Sequence, residues 1–563
     1  MFIRNLILCC FIYSLSAFQS FQAAPRVPKE ITENGLTYCT NSGGFSFNPQ
    51  TADAGASMNI ITEQIYDKLF DIRNHSAQLI PMLAQSYSIS PDGKEIIINL
   101  RKGVKFHHTP WFTPTRDFNA EDVVFSINRM LGNNTYLPVF EPKAEQQNLQ
   151  YKIFHEQVKK ARFPYFESIK LNQKIKSISA INTHQVKIEL FMPDSSILAH
   201  LASQYAIILS QEYAYQLNAD DNLAQIDTYP VGTGSYQIKD YVYNQYVRLA
   251  RNERYWRKKA AIPQIVIDLT TDRSGRLIKF FNNECQIASY PEISLLGLLN
   301  GNNERYYVHS TEGMNLAYLA FNFKKPSMRD IKLRQAISHA INRHRLVKNI
   351  YHNTATVANN IIPSISWAAT VNTPDFDYDY NLEQAKALLE NRSVNLIMWV
   401  LSEEQVFDPT PIKTAQLIKQ DLAKIGITLK VRSVSRTFLL EQLRNQTEEY
   451  HLILAGWLTG NLDPDSFMRP ILSCGAQNDV TNLSNWCNQD FDHFMDIALT
   501  TTNLRERAKA YHSAQEIVLN QLPIMPIANV KRVLVSNAKV KGVEITPFGS
   551  LNFSLLHFNK EKK

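Results

Sequence analysis

Beyond its first 25 residues the chain has no apolar run of about 18 residues, so a multi-span membrane protein is excluded. It also lacks low-complexity tracts and repeats of about 20–50 residues, which excludes a disordered tail, a collagen-like fibre, a solenoid or a propeller. Charge of one sign is scarce: 59 basic residues stand against 52 acidic ones, a balance of +7 too diffuse to name a partner. No His-Glu-x-x-His, Gly-x-Ser-x-Gly, Walker A or dinucleotide fingerprint occurs, which weighs against catalysis. What is present is ordinary globular composition, 44% apolar and 20% charged. At 563 residues the chain exceeds the roughly 250–300 that one core sustains, so at least two lobes are expected.

The first residues have the layout of a secretory signal peptide. Arg4 precedes an apolar run from Leu6 to Phe18, then Ala23, Ala24 and Pro25. Cleavage after Ala23 is expected, giving a signal peptide over 1–23 and an exported, soluble chain. Removing it leaves 58 basic against 52 acidic residues, a charge of +6. Cys9 and Cys10 leave with it and lack the small residue that precedes a lipidated Cys. Four cysteines remain, Cys39, Cys285, Cys474 and Cys487. An even number in an oxidising compartment points to two disulfides. Three pairings are possible. Cys474–Cys487 is the natural local pair, leaving Cys39–Cys285. A zinc site is the alternative, but no Cys-x-x-Cys or His cluster supports it.

Periodicity indicates an α/β chain. The alternation before and after Pro91-Asp92-Gly93 reads as a hairpin over 86–100. Asn119 opens a helix whose first turn carries Glu121 and Asp122. In the second half, strands near 315–322, 395–401, 427–431 and 451–456 alternate with helices near 333–341, 382–389 and 414–425. That rhythm implies a mixed sheet with helices on its faces. Gly232-Thr-Gly234 reads as a tight turn rather than a phosphate cradle, and His107-His108 as a solvated loop rather than metal ligands. Asp463 and Asp465 could form an acid/base pair; their Asp-Pro context also suits a turn. The stretch 151–176 interleaves Lys159, Lys160, Arg162, Lys170, Lys174 and Lys176 with Phe163, Tyr165 and Phe166. This texture suits a polyanion, nucleic acid included. The plainer reading is a solvated helix and loop.

Several strings match one family across nearly the whole chain after the leader. They are Tyr38-Cys39, Phe47-Asn48-Pro49, Ala84–Gly93, Leu100–His107, Asn119–Ser126, Pro230–Tyr236, Asn252-Glu-Arg-Tyr-Trp256 and Leu333–Arg343. In order and spacing they resemble the family 5 extracellular solute-binding proteins, the periplasmic dipeptide- and oligopeptide-binding group. The string Gly456–Asp465 with the Cys474/Cys487 pair looks most like the branch tied to antimicrobial-peptide resistance. The resemblance implies a type II-like periplasmic binding protein fold with two α/β lobes, a hinge and an extra inserted domain (cluster C). It places lobe I at 24–71, 227–310 and 527–563, the inserted domain II at 72–226 and lobe III at 311–526. Hinge strands are expected near 311–320 and 521–528. It further implies a non-enzymatic, monomeric protein without a cofactor. Such a protein holds a peptide between its lobes, or haem, and hands it to an ABC permease in the inner membrane. The resemblance also supports both disulfide pairings.

The departures from that family are informative. Dipeptide-binding relatives carry an Asp for the peptide ammonium three residues after the Trp of the Gly-Trp motif; here that residue is Gly460. Their Arg for the peptide carboxylate aligns with Gln405. An unpaired buried ion costs several kcal/mol, so a free dipeptide fits badly and a longer or non-peptide ligand is expected. Asn461 or Asp463 could substitute for the missing acid. Phe47, Trp399, Phe407 and Trp457 are candidate apolar contacts. For a cationic ligand, acidic candidates are Asp375, Asp377 and Asp379, Glu403 and Glu404, or Asp463 and Asp465. A secreted hydrolase using Asp463 and Asp465 is the remaining alternative.

Overall fold

A computed structural model describes residues 35–41, 47–51, 56–73, 76–132, 161–220, 222–270, 272–299, 304–369, 378–390, 392–478 and 480–559. The leader, Lys152–Lys160 of the basic stretch, Asp375 and Asp377 lie outside the described residues.

Two mixed sheets dominate. The seven-stranded sheet runs, edge to edge, Tyr306–Thr311, Arg532–Asn537, Ile287–Ser289, Leu36–Thr40, Gln264–Leu269, Tyr246–Arg251 and Tyr236–Val242. Leu36–Thr40 is its buried middle strand, parallel to both neighbours. The six-stranded sheet runs Ala355–Val357, Ile524–Val530, Asn315–Phe321, Leu452–Leu458, Val394–Leu401 and Ile427–Val434. All residues of its Asn315–Phe321 strand are buried, as a centre strand covered on both faces requires. A smaller antiparallel sheet, Ala84–Ile89, Glu95–Leu100, Gln185–Leu190 and Ile175–Asn182, includes the expected hairpin.

The cores divide the chain into two bodies. One continuous apolar cluster joins the seven-stranded sheet to the four-stranded one, from Leu36 through Ile188 to Leu556. A second cluster, from Met314 to Val530, fills the six-stranded body alone. The chain passes between the two sheets at 312–314 and at Lys531. The second passage corrects the sequence-based limits: Ile527–Val530, assigned to the first lobe, pairs with Asn315–Phe321 and Ala355–Val357 in the six-stranded sheet. On either side of Lys531, Ile524–Val530 and Val533–Val535 are both mostly apolar and buried, so composition gives no mark of where one sheet yields to the other.

Local chemistry fixes the elements. Asn119 caps Ala120–Met130 in a capping box with Asp122, which also takes a bidentate pair from Arg116. Helix Pro411–Ala423 begins on a Pro, and Gly426 at φ +84° turns the chain into the next strand. Both disulfides join the expected partners. Cys39–Cys285 has Cα atoms 5.9 Å apart and lies in a small cluster with Leu277, Phe280 and Val535. Cys474–Cys487 has Cα atoms 4.3 Å apart. No helix among the described residues is long and apolar enough to cross a membrane.

Candidate functional site

The two bodies face each other across segments 165–205 on one side and 459–469 on the other. Strand Leu452–Leu458 carries Trp457 one residue before its end and delivers the loop Thr459–Pro464 to this interface. Gly460 is buried there against Tyr205. A Cβ on it would fall 3.0 Å from the Tyr205 ring and 3.3 Å from Ser203 Cβ. Tyr205 is held by stacking on Tyr165, centroids 4.5 Å apart. Asn461 Nδ2 donates to the Tyr165 hydroxyl at 2.9 Å, and that hydroxyl is also hydrogen-bonded to His200 Nδ1 at 3.1 Å. Asn461 Oδ1 accepts from Ser466 Oγ and from Asp463 N. The space beside Gly460 is therefore occupied by an aromatic ring and closed by neutral hydrogen bonds.

The two aspartates are committed to cations. Asp463 pairs with Arg507 at 2.9 Å and accepts from Tyr511. Asp465 is fully buried; it accepts from Arg469 at 2.6 Å and meets Lys174 at 3.1 Å. Burial pushes its carboxyl up, yet Arg469 and Lys174 together hold it well below the usual carboxylate range. A carboxylate so fixed is a poor proton donor near neutral pH, which weighs against Asp465 as the acid of an acid/base pair.

Loop 402–410 forms a second part of the site. It follows strand Val394–Leu401 and reaches back to the first body. Glu404 pairs with Arg273, the first residue of helix Arg273–Phe281, at 2.7 Å. Gln405 turns onto its own loop, its Nε2 donating to the Glu403 carbonyl. Phe407 lies over Gly456, where no Cβ would fit, and its carbonyl accepts from Tyr351. Asp408 is buried; burial raises its pKa to about 7 against hydrogen bonds from Thr414 and Thr410 and the nearby charge of Arg273.

Two expected contact residues are core residues instead. Trp399 is 0% exposed and packs on Tyr450 and Phe438, because its position in the strand points it into the second body. Phe47 is 5% exposed and meets Tyr241 edge-on in the first body. Trp457 is half-buried, its Nε1 donating to the Ser466 carbonyl. Gly460, Asn461 and Asp463 come together at the interface, while Gln405 and Phe407 share the second loop. Asp379 is exposed.

Tyr165, Lys174, His200, Tyr205, Arg273 and Asp465 complete the interface. Tyr165 and Lys174 stand in the cation-and-aromatic stretch, where alternation of types suggested a surface. In the structure Phe163, Tyr165 and Phe166 are buried, Arg162 pairs with Glu167, and Lys170 reaches the Gly475 carbonyl. Nothing local in the sequence marks Arg273 as a partner of Glu404. His107 also departs from expectation. It is buried, bonded to the Gly234 carbonyl at 2.9 Å, and burial lowers its pKa to about 4. Among the described residues no group of three His, Cys, Asp or Glu could hold a metal ion.

A cavity of about 150 Å³ opens beside the interface, between Leu79, Tyr87 and Leu198 of the first body and Trp367, Leu462 and Leu504 of the second.

Comparison with known proteins agrees with this architecture. The chain is 68% identical to the peptide transport periplasmic protein SapA of Haemophilus influenzae, covering 99% of this chain and 98% of that one. It is 32% identical to heme-binding protein A of the same species, covering 92% of each. A dipeptide-binding protein of Pseudoalteromonas solved with Met-Leu superposes with a TM-score of 0.79 at 34% identity, covering 93% of this chain and 100% of that one. Residues 78–479 match the bacterial extracellular solute-binding proteins, family 5. With two separately cored α/β bodies, two chain passages between them and that match, the chain belongs to the family 5 bacterial extracellular solute-binding proteins.

Proposed function

We propose that this protein is the periplasmic peptide-binding component of an ABC importer, and that it takes peptides longer than a free dipeptide or without free ends, antimicrobial peptides among them. The observation that carries this reading is the Gly460 site. Where dipeptide-binding relatives resemble one another in presenting an acid, this chain has no side chain and the neighbouring space holds Tyr205. The opposite clamp is neutral too: Gln405 stands in the aligned place, and Arg273, the guanidinium nearest that loop's acids, is taken by Glu404. Gln204 Oε1, next to Tyr205, is buried without a hydrogen-bond partner. It is an acceptor suited to a backbone N–H, since buried polar groups nearly always find a partner. A peptide recognised through backbone amides and apolar side chains fits these groups; a zwitterion whose two charges must be neutralised does not.

Catalysis has no support in these residues, since Asp463 and Asp465 are both held in ion pairs. Haem is a second reading, carried by the 32% identity to a heme-binding protein over 92% of the chain.

Calorimetric titration of the leaderless protein decides between them. The set comprises a free dipeptide, a six-residue peptide blocked at both ends, a cationic amphipathic peptide, haem and a nucleic-acid duplex. The blocked hexapeptide is expected to bind at least about tenfold more tightly than the dipeptide, which corresponds to about 1.4 kcal/mol. Tighter binding of the dipeptide overturns the proposal. A shifted haem absorption band with no peptide heat favours the second reading, and binding of the duplex alone favours a polyanion ligand.

A further inference from the structure

We propose that the two bodies carry their own closing contacts, a rim pair Arg273–Glu404 and a buried pair Lys174–Asp465, so that the closed arrangement is populated with no solute present. Both pairs join residues from opposite bodies. Arg273 and Lys174 belong to the part built around the seven- and four-stranded sheets, and Glu404 and Asp465 to the six-stranded body. The proposal concerns the lobes and stands whichever ligand is bound.

The buried contact is arranged to be reversible. On its own side Lys174 already pairs with Asp194 at 2.5 Å. On the other side Asp465 already pairs with Arg469 at 2.6 Å. Each body therefore brings a neutral ion pair to the interface, and docking adds the cross contact of 3.1 Å between Lys174 and Asp465. Separation leaves no charge alone, so opening avoids the penalty of an uncompensated buried ion. Closing gains an attraction made stronger by exclusion of water, because Asp465 is 0% and Lys174 11% exposed at the side chain. His200 Nε2, 3.7 Å from Asp465, faces the same carboxylate.

The rim contact is weaker and differently tuned. The Glu404 side chain is 60% exposed and that of Arg273 is 18% exposed, so salt screens the pair and its contribution is small. Its place is what matters. Loop 402–410 belongs to the second body, and here it supplies its own carboxylate to the facing lobe. A bridge built into the chain removes the need for a charged ligand end to close it.

The experiment measures interlobe distance in ligand-free protein by pulsed dipolar spectroscopy. Spin labels go at Tyr243→Cys, on a turn that is 74% exposed, and Glu383→Cys, whose side chain is 87% exposed. The unmodified interface is expected to show a dominant short distance. Glu404→Arg sets two guanidiniums face to face and is expected to lower the ratio of closed to open about two- to fivefold. Adding Arg273→Glu should restore the ratio to within about twofold of the starting protein, because the pair is re-formed with its signs exchanged. Lys174→Met is expected to lower the ratio about tenfold or more, with no relief by salt. Thermal melting of each variant separates opening from unfolding. Where the exchanged pair or Lys174→Met does not fold, the cycle Arg273→Gln, Glu404→Gln and their combination gives the coupling directly. A starting protein already as open as Glu404→Arg, or a cycle with no coupling, overturns the proposal.

Discussion

Asp67 shows how residues far apart in the chain become one structural unit. Its carboxylate accepts from Thr233 Oγ1, Trp256 Nε1 and Tyr255 OH, at 2.8, 2.8 and 3.3 Å. Those donors come from two of the strings that made the family legible, Pro230–Tyr236 and Asn252–Trp256. The strings are recognisable because they build the frame, whereas the ligand-facing residues are free to differ. Gly232 and Gly234 lie against the Ile65 and Gln64 carbonyls, where any Cβ would collide. The tight-turn reading of that motif was therefore readable from glycine alone. Gly460 carries the opposite lesson. Its lack of a side chain is visible in the sequence, but Tyr205 as its neighbour is not. Because that ring is stacked and 3% exposed, Gly460→Ala is expected to destabilise by about 1–3 kcal/mol through overpacking. Gly460→Asp is expected to destabilise further and to give no gain in dipeptide affinity; denaturant melts and calorimetry check both.

At Asp408 burial sets a pH dependence of known sign. Its folded pKa is about 7, above the roughly 3.9 of an unfolded Asp. Between those values the folded chain holds a proton that the unfolded chain has lost. Stability from this group is thus greatest at acid pH and falls as pH rises through about 7, by at most about 1.4 kcal/mol per pH unit. Asp408→Asn should flatten that component of the melting-temperature profile between pH 5 and 8. Superimposable profiles for the two proteins would contradict the assignment.

Elements were legible where a local device announces them. The capping box at Asn119 is written in consecutive residues and needs nothing from elsewhere. Asn119→Ala should cost about 1 kcal/mol in a denaturant melt. The 13-residue separation of Cys474 and Cys487 likewise made a local pair readable. Replacing both with Ser is expected to cost about 3 kcal/mol, as loop-closure entropy returns to the unfolded chain; equal midpoints in denaturant would show that the bridge adds no stability. Trp399 was misplaced for the converse reason. A strand covered on both faces lacks the alternation that would tell which way each side chain points.

For the whole molecule, composition and length indicated two lobes, and the resemblance supplied their kind. The interface between them escaped because its pairs, Lys174–Asp465 and Arg273–Glu404, are set by how two finished bodies meet. Two separate cores also predict that heat does not unfold the chain in one step. Calorimetry should resolve at least two transitions. A single transition whose calorimetric and van't Hoff enthalpies agree would mean that the bodies unfold together.

The strand order of the first body fixes a sequence of assembly as the chain is made. The four-stranded sheet is complete once residue 190 exists, and the six-stranded sheet once residue 530 exists. The seven-stranded sheet holds the earliest described strand, Leu36–Thr40, yet needs Arg532–Asn537 to bridge its last two members. Strand Ile287–Ser289, which pairs with Leu36–Thr40 on one side, must therefore wait with its other edge uncovered until almost everything else has been synthesised. Such long-range closure is slow and leaves strand edges open to wrong partners. Cys39–Cys285, which can form some 250 residues before that last strand arrives, tethers the waiting strand beside its proper neighbour in the meantime.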